Sequence, residues 1–260
     1  MGEGDVGGVE LAASLVLIAV AIGLSMWRSL GLERSIVWAS IRAAAQLLLV
    51  GAALTLVVDP DQPIAWSWVW VVGMVGFAAV TIQRRAPEVP GLFPIGLVAV
   101  SAAAVVSLGV VFGLGVFPVE GRTVVPVAGM MIGNSMKDAV VAARRVVGEL
   151  ADKRDEVEAR LALGQPWQEA SRPYLRSALR TAMTSQIETT KSVGLVFLPG
   201  AMTGLILAGV DPVDAVLVQL ALMYLILGSV ATVVTVVGIG LVRRLFTDDH
   251  RLVRLVRTGG

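Results

Sequence analysis

Seven stretches of about 20 largely apolar residues dominate the sequence, near 9 to 27, 36 to 57, 64 to 82, 92 to 116, 123 to 143, 181 to 208 and 212 to 242. A run of that length spans the hydrocarbon of a bilayer as a helix, and a helix meets the demand of lipid that every backbone polar group be paired internally. Only 16% of the 260 residues are charged, against 56% hydrophobic, too little charge for a soluble domain of this size. The expected fold is therefore all-α: a polytopic membrane protein of seven transmembrane helices forming one transmembrane domain over residues 1–260. Short polar connectors rich in proline and glycine, such as DPDQP, QRRAPEVPG and GVDPVD, join the runs.

Lysine and arginine set the orientation. Seventeen of the 21 fall on one side, from Arg28 and Arg34 through the 144–180 loop to Arg257; the other side receives Arg122, and Arg42, Lys137 and Lys191 lie within spans. This predicts the N-terminus outside and the C-terminus inside, with Asp59, Asp61, Glu120, Asp211 and Asp214 marking the outer loops and Trp66, Trp68 and Trp70 an outer indole belt. The first ten residues, MGEGDVGGVE, are acidic where a secretory signal is basic, so the first run is expected to be a retained helix. There is no cysteine and the single histidine is His250, which excludes the usual transition-metal cages.

The one long charged stretch is the cytoplasmic loop, residues 144–180. Residues 149 to 163 set Leu150, Val157, Leu161 and Leu163 among eight charged side chains and read as a helix continuing the fifth span. Gly164 is a natural stop, since glycine accepts the left-handed conformation just past a helix end, and Pro166 suits the start of the next helix. A helix-turn-helix elbow with Gln165 to Trp167 at its tip follows: either a docking element for a soluble partner or an ordinary amphipathic hairpin. The tail, residues 243–260, interleaves Leu252, Val253, Leu255 and Val256 with arginines; it reads as a solvated tail, or as a binder of anionic lipid or of a partner.

Beyond Arg180 the chain re-enters the membrane carrying Glu188 and Lys191. Charge at that depth costs about 2.5 to 3.5 kcal/mol per group on insertion scales. Three residues apart, the two share a helix face and can pair; Lys137 and Asp138 in the fifth span are the other candidates. These groups either neutralise one another to hold helices together or line a hydrated pathway. LPGAMTG then interrupts the sixth span at Pro199 and Gly200, as a hinge or substrate site or as a simple kink. In the fifth span Met130, Met131, Asn134, Ser135 and Met136 fall within two turns, soft and oxygen donors that serve a metal or simply pack. Gly129 and Gly133 are spaced for a close helix contact or a dimer seam.

EARLALGQPWQEA resembles the EAA loop of ABC transporter permeases, with Glu158, Ala159 and Gly164 at the matching spacing and Pro166, Trp167 and Gln168 after them. PVAGMMIGNSM at 126 to 136, KSVGLVFLPGAMTGLILAG at 191 to 209, Arg42 with Gln46, and Asp211-Pro212 followed by Gln219 are similar to the small ABC permease family that includes bacterial iron-export and plant aluminium-tolerance permeases. The resemblance covers roughly residues 36 to 242. It implies a permease domain paired with a separate ATPase subunit, as two permeases with two ATPases. No Walker-type phosphate loop occurs in the sequence, so ATP and magnesium would belong to the partner and no cofactor to this chain.

Where the family often has Pro-x-Ile-Asn, this chain has Ser185, Gln186, Ile187 and Glu188, and Phe197 replaces a serine. The extra carboxylate at Glu188 favours a cation or compensates Lys191. On this reading Glu158, Ala159, Leu163, Gly164, Gln165, Pro166 and Trp167 couple to the ATPase. Asn134, Ser135, Met136, Lys137, Asp138, Glu188, Lys191, Met202, Thr203 and Gln219 form the transport path. Pro199, Gly200 and Gly204 are the hinge, and Glu188, Met131 and Asn134 the candidate metal ligands. The expected function is export of a metal cation such as iron across the plasma membrane, or of an organic substrate such as a nucleotide sugar. An ATPase-independent carrier or channel is the alternative; no nucleophile or acid triad supports a membrane enzyme, and no nucleic-acid partner is expected.

Overall fold

A computed structural model describes residues 8–57, 62–194, 198–247, 249 and 251–253. The chain divides into two units, residues 1–62 and 63–260. The first is a helical hairpin of α1 (Gly8–Trp27) and α2 (Glu33–Val57). Its turn uses Gly31 at φ 68° and Ser29 at φ 52°, both left-handed. Buried Ser25 ties the hairpin: its hydroxyl donates to Glu33 Oε1 at 2.7 Å and accepts from the Leu32 amide at 3.2 Å.

The second unit holds α3 (Ile64–Arg85), α4 (Leu92–Gly113), α5 (Gly121–Asp152), α6 (Arg154–Ala162), α7 (Trp167–Ser192), α8 (Gly200–Leu207) and α9 (Pro212–Leu245). Asp211 caps α9 by accepting from the Val213 amide at 2.8 Å, with Pro212 in the first turn where its missing N–H costs nothing. Helix α5 is central, packing against α3, α4, α7 and α9. Small residues make that possible: Ala99 and Ala103 of α4 and Ala139, Ala142 and Ala143 of α5 are all fully buried. Gly238 admits α7 to α9, since a Cβ there would lie 2.6 Å from Leu179 Cδ2 and 3.0 Å from Leu175 Cδ1. Arg144 fastens the α3–α4 connector to α5 by donating to Glu88 Oε1 at 2.7 Å and to the Arg85 carbonyl at 2.6 Å.

By length and composition four helices, α2, α3, α4 and α9, are apolar enough to cross a membrane; α5 and α7 occupy the expected fifth and sixth positions with more polar faces. Three boundaries differ from expectation. The helix continuing the fifth span is interrupted at Lys153, so α6 is a separate element. The sixth span does not run to Pro199: α7 ends at Ser192, because Gly194 takes a left-handed φ of 88° just past the end, and Leu198 before Pro199 is kept out of the helical region. Helix resumes as α8 only at Gly200. Finally, the first part of the tail is folded back rather than solvated: Phe246 and Leu252 form an isolated antiparallel bridge and are both buried. Expectations for Leu255, Val256, Arg257 and His250 lie outside the described residues.

Candidate functional site

The elbow between α6 and α7 closes as a Schellman turn. Gly164 sits at φ 85°, its amide donates to the Leu161 carbonyl at 3.0 Å, and the Gln165 amide reaches back to the Arg160 carbonyl at 3.2 Å. Pro166 then caps α7 and Trp167 opens it. Leu163 is 83% exposed at the tip, with Glu158, Ala159, Gly164 and Pro166 exposed around it and Gln165 and Trp167 half-buried. Glu158 accepts from Arg154 Nε at 2.6 Å.

Beneath the tip the elbow is held firmly. Val157 and Leu150 are fully buried. Lys153 Nζ and the Tyr174 hydroxyl donate to the two oxygens of Glu156 at 2.8 and 3.0 Å, which holds that carboxyl below the usual carboxylate range. Ser177 donates to Glu149 Oε1 at 3.1 Å. The tail completes the arrangement: Arg154 donates through Nη2 to the Leu252 carbonyl at 3.2 Å and through Nη1 to that of Val253 at 3.4 Å. The Trp167 indole stacks on Phe246. Sequence reading missed this latch; the interleaved apolar residues of the tail were its only signal.

The second cluster lies farther along α7. Lys191 Nζ donates to Glu188 Oε1 at 2.9 Å, and both side chains stand more than half exposed. Counting equal steps along antiparallel α5 and α7 from the Glu149–Ser177 bond brings Glu188 level with Asp138, to within about a turn or two. Counting likewise from Gly238, where α7 rests on α9, brings it near the middle of α9. Asp138 is half-buried and Lys137 exposed. Thr181, Thr184 and Ser185 extend the same exposed stripe at helical spacing, which sequence reading also passed over. Thr181 and Thr184 return their hydroxyls to carbonyls one turn back, which leaves Glu188 and Lys191 as the charged part of the face.

The remaining path residues occupy different surroundings. Ser135 is buried and donates to Ser229 of α9 at 3.1 Å, which donates on to the Ile226 carbonyl. Asn134 Nδ2 donates to the Met130 carbonyl of its own helix at 2.8 Å; Met136 is half-buried. Met131 is fully buried in the core, whereas Glu188 is exposed, and among the described residues no three His, Cys, Asp or Glu side chains converge as a metal site would require. Met202 and Thr203 lie on α8 beyond the break, and Thr203 donates to the Pro199 carbonyl at 3.3 Å. Gly200 and Gly204 have open space where a Cβ would be. Gln219 of α9 is buried with Oε1 unpartnered. Gly129 faces Met74 of α3 at 3.8 Å, and Gly133 is open.

Long apolar helices enclosing a core of small residues, with charge on exposed faces of the helices between them, define an all-helical multi-pass membrane protein. The chain belongs to the uncharacterised protein family UPF0014, whose pattern matches residues 8–246. It is 35% identical over 224 residues to the UPF0014 membrane protein STAR2 of Oryza sativa subsp. japonica, covering 86% of this chain and 78% of that one. It is 30% identical over 254 residues to the probable iron export permease protein FetB of Escherichia coli, covering 97% of each. The protein ALUMINUM SENSITIVE 3 of Arabidopsis thaliana is 32% identical over 224 residues, 86% of this chain and 81% of the relative. No solved structure matches.

Proposed function

We propose that the chain is the permease subunit of an ABC exporter in the plasma membrane, N-terminus outside and C-terminus inside. Two copies work with two separate ATPase subunits, which hold the ATP and magnesium. The observation that carries this reading is the continuity of α7. One unbroken helix of 26 residues, about 39 Å long, has the elbow at its first residue and Glu188, Lys191 and the α7–α8 break at its other end. A push on Leu163 and Gly164 is thereby delivered along one continuous helix, which carries Pro173 inside it, to the charged face at mid-depth. Helix α7 ends at Ser192 and α8, which begins at Gly200, packs on α9, so that end of α7 is separate from α8.

Likeness to a probable iron export permease supports a metal cation as cargo, with Glu188 as the charge that receives it. An organic anion such as a nucleotide sugar is the second reading, favoured by Lys191, which stands exposed on the same face as a partner for phosphate. An ATPase-independent carrier using the same face is the third.

ATPase activity of the chain co-purified with its ATPase subunit in lipid, with and without ferrous iron, separates them. The metal reading expects stimulation by iron that Glu188→Gln abolishes. A complex active but indifferent to iron discards the metal. Failure of any ATPase to bind discards the ABC assignment.

A further inference from the structure

A groove of about 350 Å³ runs between α4 and α9, on a part of the molecule far from the charged face of α7 in sequence and in its neighbours. Its walls are Pro94, Ile95 and Val98 from one helix and Val236 and Gly240 from the other, and it ends at Arg243 and Arg244. It is apolar along its length and doubly cationic at one end, with Val98 60% exposed on its rim.

The cationic end is built. The Arg244 guanidinium rests against Gly91, where a Cβ would overlap its Cζ and Nε, so only glycine lets it settle there. Gly91 is the N-cap of α4. The guanidinium is thus laid beside the positive end of a helix and, with Arg243, concentrates positive charge at this end of the groove. Among the described residues neither Arg243 nor Arg244 forms an ion pair.

We propose that this groove seats an anionic phospholipid, its phosphate between Arg243 and Arg244 and an acyl chain along Pro94, Val98 and Val236. A soluble phosphate would satisfy the arginines and leave the apolar channel unused; a zwitterionic lipid would fill the channel and bring its own cation to the arginines. Helices α4 and α9 are both apolar enough to cross the membrane, so the channel opens onto lipid.

The test is binding to the purified full chain in detergent, read by native mass spectrometry and by the shift in melting temperature. It does not involve an ATPase or a cargo, so its outcome is independent of the permease reading. Phosphatidylglycerol is expected to bind on the order of tenfold tighter than phosphatidylcholine. Arg243→Gln with Arg244→Gln should erase that preference, and Val98→Trp, which fills the groove from its exposed rim, should weaken both lipids while leaving the melting temperature without lipid unchanged. Equal binding of the two lipids to the wild-type chain overturns the proposal, as does a preference that survives the double substitution. Glycerol phosphate binding as tightly as phosphatidylglycerol would also overturn it, reducing the site to one for a soluble anion.

Discussion

The indole of Trp167 stacks on the ring of Phe246 with centroids 5.8 Å apart and planes at 22°, so the first residue of α7 rests on the residue just past the end of α9. Arg154 adds a second tie from α6 to the carbonyls of Leu252 and Val253. The elbow is therefore referenced to α9, not merely attached to α7.

Phe246→Ala should release that reference. Loss of a 93%-buried ring is expected to cost about 3 kcal/mol, measurable as a lower melting temperature of the purified chain. Arg154→Met, which keeps the stem and removes the donors, should cost less stability but leave the elbow mobile, read as faster amide exchange over residues 154–170.

Gly164 has open space around its missing Cβ but a left-handed backbone. Gly164→Ala should therefore cost only the strain of that conformation, about 1–2 kcal/mol, with the fold intact by circular dichroism. Gly164→Asp adds a charge at the tip and, on the permease reading, should abolish ATP-driven transport in proteoliposomes while the chain still inserts. Retained transport would count against docking at this elbow.

Glu156 is held below its ordinary value of 4.5 first by Lys153 and then by Tyr174, and Lys153 is raised above 10.5 chiefly by the same bond. A lowered carboxyl contributes stability that is complete above the unfolded pKa and lost as pH falls through the folded one; a raised amine contributes below its unfolded value and loses it as pH climbs through the folded one. The difference in melting temperature between wild type and Glu156→Gln should thus be flat between about pH 5.5 and 9.5 and shrink on acidification below 4.5. A difference that grows on acidification would contradict the assigned bonds.

Glu188 and Lys191 should behave as a unit. On the permease reading Glu188→Gln or Lys191→Met alone leaves an uncompensated charge within the membrane, costing on the order of 2 kcal/mol. The double variant should lose less than the two singles together, in a cycle of melting temperatures in lipid.

Much of the architecture was legible because a 20-residue apolar run has one cheap solution in lipid, and the elbow because Gly164 and Pro166 each suit one backbone position. The α7–α8 break was read at Pro199, the louder signal, although Gly194 ends α7 first; unlike Gly164, it stands in an apolar run that gives no other sign of a helix end. Gly238 and the Arg154–Leu252 tie escaped for another reason. Both depend on residues distant in sequence, and a single sequence carries no trace of which distant side chain will arrive. The candidate metal ligands Met131 and Glu188 came from donor chemistry, which is blind to burial: one is in the core, the other on an exposed face.

The uneven polarity of the helices bears on how the protein is made. Helices α3, α4 and α9 are apolar enough to leave the translocation machinery for lipid by themselves, but α5 and α7 are not among the self-sufficient spans. Helix α7 packs on α9, which is synthesised after it. On the permease reading its polar stripe enters the bilayer as a passenger of the last helix, and topology becomes final only when Pro212–Leu245 has emerged. On that reading a ribosome stalled before that helix should leave α7 at the membrane surface.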